Sequence, residues 1–192
     1  MTARIVQVLL FAIAFAFVES AVVVYLRAIY YPEGFSFPLR MMSQQHLSVE
    51  LWREFSTLVM LVAVGWLAGA SRWQRFSYFL IAFGVWDIFY YVWLKALLHW
   101  PQTLLDPDIL FLLPIPWIGP VIAPVAVSLI MIIAGVLIIR KEERGERFHP
   151  TVSVWLIAVI ATGVLLFSFM IDTDATLRFN VPKPYQIGRA HV

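Results

Sequence analysis

Five apolar stretches, each about as long as a bilayer is thick, constrain this chain more than any other feature. A helix needs about 20 mostly apolar residues to cross a hydrocarbon core ~30 Å deep. The expected spans are about residues 5–26, 51–70, 76–98, 117–139 and 152–171. Inside a bilayer the backbone has no water to bond, so helices that satisfy their own amides are the expected fold. Of the 192 residues, 61% are hydrophobic and only 14% are charged, which excludes an ordinary water-soluble domain. The reading is a single all-α, polytopic membrane helical bundle over residues 1–186. A scattered formal charge of +2 offers no nucleic-acid surface, and with no cysteine there is no disulfide or thiolate chemistry.

The fourth stretch departs from a plain span. Residues 109–139 are too many for one straight helix across ~30 Å at about 1.5 Å per residue. Pro114, Pro116, Pro120 and Pro124 fall in its first half, where proline breaks helices. Asp106 before Pro107 has the form of a helix N-cap and first turn. A short interfacial or re-entrant helix is therefore expected from Pro107 to about Leu113, then a break, then a span from about Trp117. The first stretch has a rival reading as a cleaved leader, with Ala14-Phe15-Ala16 shaped like a cleavage site. Its apolar run continues to Leu26, which favours a retained helix.

Lysine and arginine set the expected orientation. With five spans, Arg4, Arg72, Arg75, Arg140, Lys141, Arg144 and Arg147 share one side, and Arg40, Arg178 and Lys183 the other. The basic side is expected in the cytoplasm of a prokaryote, with the C-terminus outside the inner membrane.

Three acids interrupt these stretches: Glu19, Glu54 and Asp87. A carboxylate at a helix centre costs about 2.5–3.5 kcal/mol, so each needs a partner, a cavity or a task. By helical rise, Glu19 lies about 21 Å and Asp87 about 17 Å from the inner ends of their helices. Glu54 falls near the outer end of its own. Helical spacing sets each acid on a face of small residues: Ala12 and Ala16 with Glu19, Gly65 with Glu54, Gly84 with Asp87. Gly65-Trp66-Leu67-Ala68-Gly69 is a G-x-x-x-G pattern that admits a neighbouring helix closely. The acids are therefore expected to share an outer-half ligand-binding pocket, supported by Arg53 and Tyr91. The plainer reading makes them ties between helices, with Glu50 and Arg53 a rim ion pair.

His46, Glu50 and Glu54 follow at one-turn intervals, and with His99 they offer a nitrogen–oxygen ligand set for a metal. They lack the H-E-x-x-H form, and a helix capped at Ser48 would leave His46 outside it. Metal is the weaker reading, and the cofactor stays open. No nucleophile elbow, phosphate loop or Rossmann fingerprint occurs.

Glu19 in the first span, Glu54 shortly before Thr57 in the second, and Gly84-Val85-Trp86-Asp87-Ile88-Phe89-Tyr90 in the third resemble the emopamil-binding (EXPERA) family. That resemblance, over the first four spans, implies a small helical membrane protein that binds or isomerises sterols. Phe15 stands where the family has a histidine one turn before this glutamate.

The expected function is binding or transport of a small apolar or amphipathic molecule, or an ion, at the acidic pocket. Two others stand beside it. One is a membrane-embedded enzyme acting on a lipid, with Asp87 or Glu54 as general acid or base and a metal at His46 and His99. The other is a structural subunit whose acids are only ties. The bilayer is the partner in all three, and a partner protein or homo-oligomer is compatible with each.

Ile187-Gly188-Arg189-Ala190-His191-Val192 is the translation of ATC-GGA-AGA-GCA-CAC-GTC, a string resembling a short-read sequencing adapter. These six residues are expected to be an artefact, with the natural C-terminus missing.

Overall fold

The computed structural model describes residues 2–33, 42–113, 116–146 and 148–170; residues 187–192 lie outside them. In chain order these form α1 (Thr2–Tyr30), α2 (Gln44–Ala68), α3 (Arg72–Leu98), β1 (Pro107–Phe111), β2 (Trp117–Pro120), α4 (Ile122–Glu143) and α5 (Val152–Met170). All five helices are long and apolar enough to cross a membrane. Their outer faces carry apolar side chains in the open, Leu67 at 85% and Ile130 at 67% exposure. Such surfaces suit lipid tails rather than water.

Packing divides the chain into two units: Met1–Val24, Phe55–Asp106 and Val121–His149 form the first, and Tyr25–Glu54, Pro107–Pro120 and Pro150–Val192 the second.

In the first unit, α3 and α4 run antiparallel with their backbones nearly touching. A Cβ added at Gly84 would lie 2.6 Å from the Ser128 carbonyl oxygen, and one at Gly135 would lie 2.7 Å from that of Ser77. Each helix thus presents a serine and a glycine seven residues apart, and each glycine receives the other helix's serine. Small residues permit this approach where the hydrophobic effect between helices is absent. Gly65 and Gly69 do the same for α2 against α3: a Cβ at Gly65 would lie 2.7 Å from the Phe79 amide nitrogen. Ser71 caps α3, its Oγ accepting from the Gln74 N–H at 3.1 Å and donating to the Glu142 carboxylate at 2.9 Å. Val8, Ala12, Phe15, Ala16 and Glu19 form the buried face of α1, at the three- and four-residue steps of a helix. The Trp93 indole fixes α1 against α3 by donating to the Ile13 carbonyl at 3.0 Å.

The interfacial helix expected from Pro107 to Leu113 does not form. Those residues begin an antiparallel hairpin that pairs Pro107 with Pro120, Asp108 with Gly119, Ile109 with Ile118 and Phe111 with Trp117. The capping inference failed because Asp106 serves the preceding turn, accepting from the Gln102 N–H at 2.7 Å and the Thr103 hydroxyl at 2.7 Å. Pro107 opens β1 and Pro120 closes β2, positions at which a missing N–H is tolerated. The fourth span accordingly begins at Ile122 instead of Trp117. Pro124 falls in its first turn, where helix amides lack intrahelical partners anyway. The carbonyls of Leu104 and Asp106 accept from the Ile122 and Val121 N–H groups, at 2.8 and 3.1 Å.

In the second unit, α2 starts at Gln44 because Ser43, not Ser48, caps it. The Ser43 hydroxyl accepts from the His46 N–H at 3.2 Å, and His46 is therefore on the helix. Phe169 of α5 packs over Gly119, where a Cβ would lie 3.1 Å from its ring.

Gly84→Ala is expected to lower the thermal midpoint in detergent by an amount equivalent to about 1–3 kcal/mol, the usual cost of overpacking. Gly163→Ala, whose Cβ meets nothing within 4 Å, should leave the midpoint unchanged or slightly higher. Tryptophan fluorescence during heating reads both.

Candidate functional site

Threonine and serine hydroxyl groups, which the expected pocket did not include, bond directly to the two acids in the first unit. Glu19 is 5% exposed and accepts a hydrogen bond from the Thr57 hydroxyl of α2. Asp87 accepts from the Ser128 hydroxyl of α4 at 2.8 Å. Next to Glu19, the fully buried Ser20 hydroxyl lies 2.8 Å from the Ala16 carbonyl and 3.1 Å from that of Tyr90. Together these bonds join α1 to α2, α1 to α3 and α3 to α4. They form a layer of polar groups between otherwise apolar helices.

Trp86 precedes Asp87 and is 6% exposed. Its ring centroid lies 5.4 Å from that of Phe83 and 6.4 Å from that of Phe15, which in turn lies 5.4 Å from Phe11. The Trp86 Nε1 is buried and has no acceptor among the described residues. Tyr91 is also 6% exposed and lies edge-on to Tyr90, with ring centroids 5.0 Å apart.

The second unit holds the other acids by different means. Both Glu54 oxygens accept from the Leu112 backbone N–H, at 3.1 and 3.0 Å, which ties α2 to the residue after β1. Arg27 of α1 pairs with Asp108 of β1 at 3.5 Å, with side chains only 12% and 4% exposed. The expected pair of Glu50 and Arg53 is present, at 2.6 Å. His46 Nδ1 is 2.5 Å from the Tyr30 hydroxyl.

The expected pocket residues therefore fall in two groups. Glu19, Asp87 and Tyr91 belong to the first unit, Glu54 and Arg53 to the second. The metal candidates have other partners: His46 a tyrosine, Glu50 an arginine. His99 closes α3 in the left-handed conformation, with φ of 55°, and its carbonyl accepts from the Gln102 amide at 2.7 Å. Among the described residues no group of three or more histidine, aspartate or glutamate side chains could hold a metal ion.

Sequence reasoning missed Ser20, Ser128, Asp108 and the Leu112 N–H. Serines on apolar helices are common, and only the packing register selects those that meet an acid. Comparison with protein families, characterised proteins and solved structures found no match to this chain.

Hydrogen bonds to a charged group contribute about 1.5–3 kcal/mol. Glu54→Ala is therefore expected to speed amide hydrogen exchange at Leu112 by about tenfold or more. Asp108→Asn should loosen β1 in the same experiment, with exchange in α3 unchanged in both variants.

Proposed function

We infer that the first unit binds a small amphipathic molecule within the bilayer, in an integral protein of a prokaryotic inner membrane with its N-terminus in the cytoplasm. The buried Trp86 N–H carries this reading. An unsatisfied buried donor costs about 1–3 kcal/mol, a cost that a bound acceptor would remove. The rings of Phe15 and Phe83 against Trp86 offer an apolar wall for the body of such a molecule. Asp87 follows Trp86, and Glu19 lies one turn along α1 from Phe15. A hydroxyl or cationic head group therefore has carboxylates on the same helices. The excess of arginine and lysine at the Arg4, Arg72 and Arg140 ends of the helices supports the orientation.

The bonds from Thr57 and Ser128 favour a second reading, in which Glu19 and Asp87 are ties between helices and the chain is a structural subunit. Native mass spectrometry of the protein extracted from its own membrane separates the two. Under the binding reading, wild type carries a discrete added mass that Trp86→Phe loses at least tenfold. The Trp86→Phe melting midpoint should equal or exceed that of ligand-free wild type, because the ring contacts persist and no unmatched donor is buried, and should fall below that of ligand-loaded wild type. Under the structural reading both proteins are clean, and Asp87→Asn lowers the midpoint by several degrees.

A further inference from the structure

A groove at the basic end of the first unit lies outside that reading. It is bounded by Arg4, Gln7, Val8 and Phe11 of α1 and by Val64 and Leu67 of α2, and encloses about 250 Å³. Its polar end is exposed: Arg4 makes one long bond, 3.5 Å, to the Ala68 carbonyl at the end of α2. The remainder is apolar, from the buried Val8 to Leu67, which stands 85% exposed. No acid lines the groove among the described residues.

Depth and charge together specify an occupant. Trp66, on the turn before Ala68, is 61% exposed, with the Arg75 guanidinium 4.1 Å from its ring centroid. Exposed tryptophan beside arginine marks the level at which bilayer head groups sit. A guanidinium holds a phosphate through two short, charged hydrogen bonds, a stronger partner than one helix-end carbonyl. With no acid in the lining, net charge favours a head group that lacks a compensating amine. Arg75 is already engaged with the Gly69 carbonyl at 3.2 Å, which leaves Arg4 as the groove's cation.

We propose that this groove binds an anionic phospholipid, with the phosphate on Arg4 and Gln7 and an acyl chain along Val8, Phe11, Val64 and Leu67. Basic pockets between transmembrane helices recognise such head groups in general. This site stands on groups that the Trp86 reading does not use.

The test titrates delipidated full-length protein in micelles with phosphatidylglycerol or phosphatidylcholine of identical chains, counting bound lipid by native mass spectrometry. The first phosphatidylglycerol is expected to bind at least about fivefold tighter than the first phosphatidylcholine, as one well-placed cation provides. Arg4→Gln should abolish that preference and Arg4→Lys retain most of it. Arg72→Gln, an exposed arginine outside the groove lining, should leave it intact. Equal binding of the two lipids by wild type overturns the proposal, as does an equal loss in Arg4→Gln and Arg72→Gln, which would mark diffuse surface charge. Glycerol phosphate competing as well as the whole lipid also overturns it, because the chain would then contribute nothing. Gln7→Leu provides a second variant should Arg4→Gln fold poorly, with an expected partial loss of the preference.

Discussion

The near contact of the α3 and α4 backbones is the constraint on which the rest of the first unit depends. In hydrocarbon the helices gain nothing from hiding apolar surface, so association rests on close packing and on polar bonds. Gly84 and Gly135 supply the first by admitting the Ser128 and Ser77 backbones. The second follows from it, since the same register sets the Ser128 hydroxyl 2.8 Å from Asp87. Packing and electrostatics are thus one arrangement. A side chain that pushed α4 outward would also strip the Asp87 carboxylate of a donor, a larger loss in a bilayer than in water.

The two units handle charge by different chemistry. In the first, Glu19 and Asp87 accept hydrogen bonds from neutral hydroxyl groups, which lower the cost of burial. In the second, Asp108 meets the Arg27 cation and Glu54 meets a backbone N–H. The second arrangement fixes a hairpin, which cannot satisfy its outer backbone groups alone.

The five helices were legible because a run of about 20 apolar residues permits little else. The G-x-x-x-G pattern and the buried face of Ala12, Ala16 and Glu19 were legible for the same reason, since helical periodicity alone defines a face. The hairpin was not. Pro116 and Pro120 were read as helix breaks and Pro107 as a helix start, but a break does not say what replaces the helix. Ile109, Phe111, Trp117 and Ile118, good strand formers, held that answer within a stretch whose overall apolarity suggested a span. Partner choice was the least legible part. That Asp87 would meet Ser128 depends on how α3 and α4 are registered, which no single helix encodes.

The order in which those partners occur along the chain has its own consequence. Glu19 of α1 meets Thr57 of α2, and Asp87 of α3 meets Ser128 of α4. During synthesis Glu19 and Asp87 therefore each emerge before the hydroxyl that will receive the carboxylate. Entering lipid singly would leave Glu19 or Asp87 without that hydroxyl, whereas leaving the translocation channel two at a time would not. The polar bonds that tie the finished helices together also favour insertion in pairs, α1 with α2 and α3 with α4.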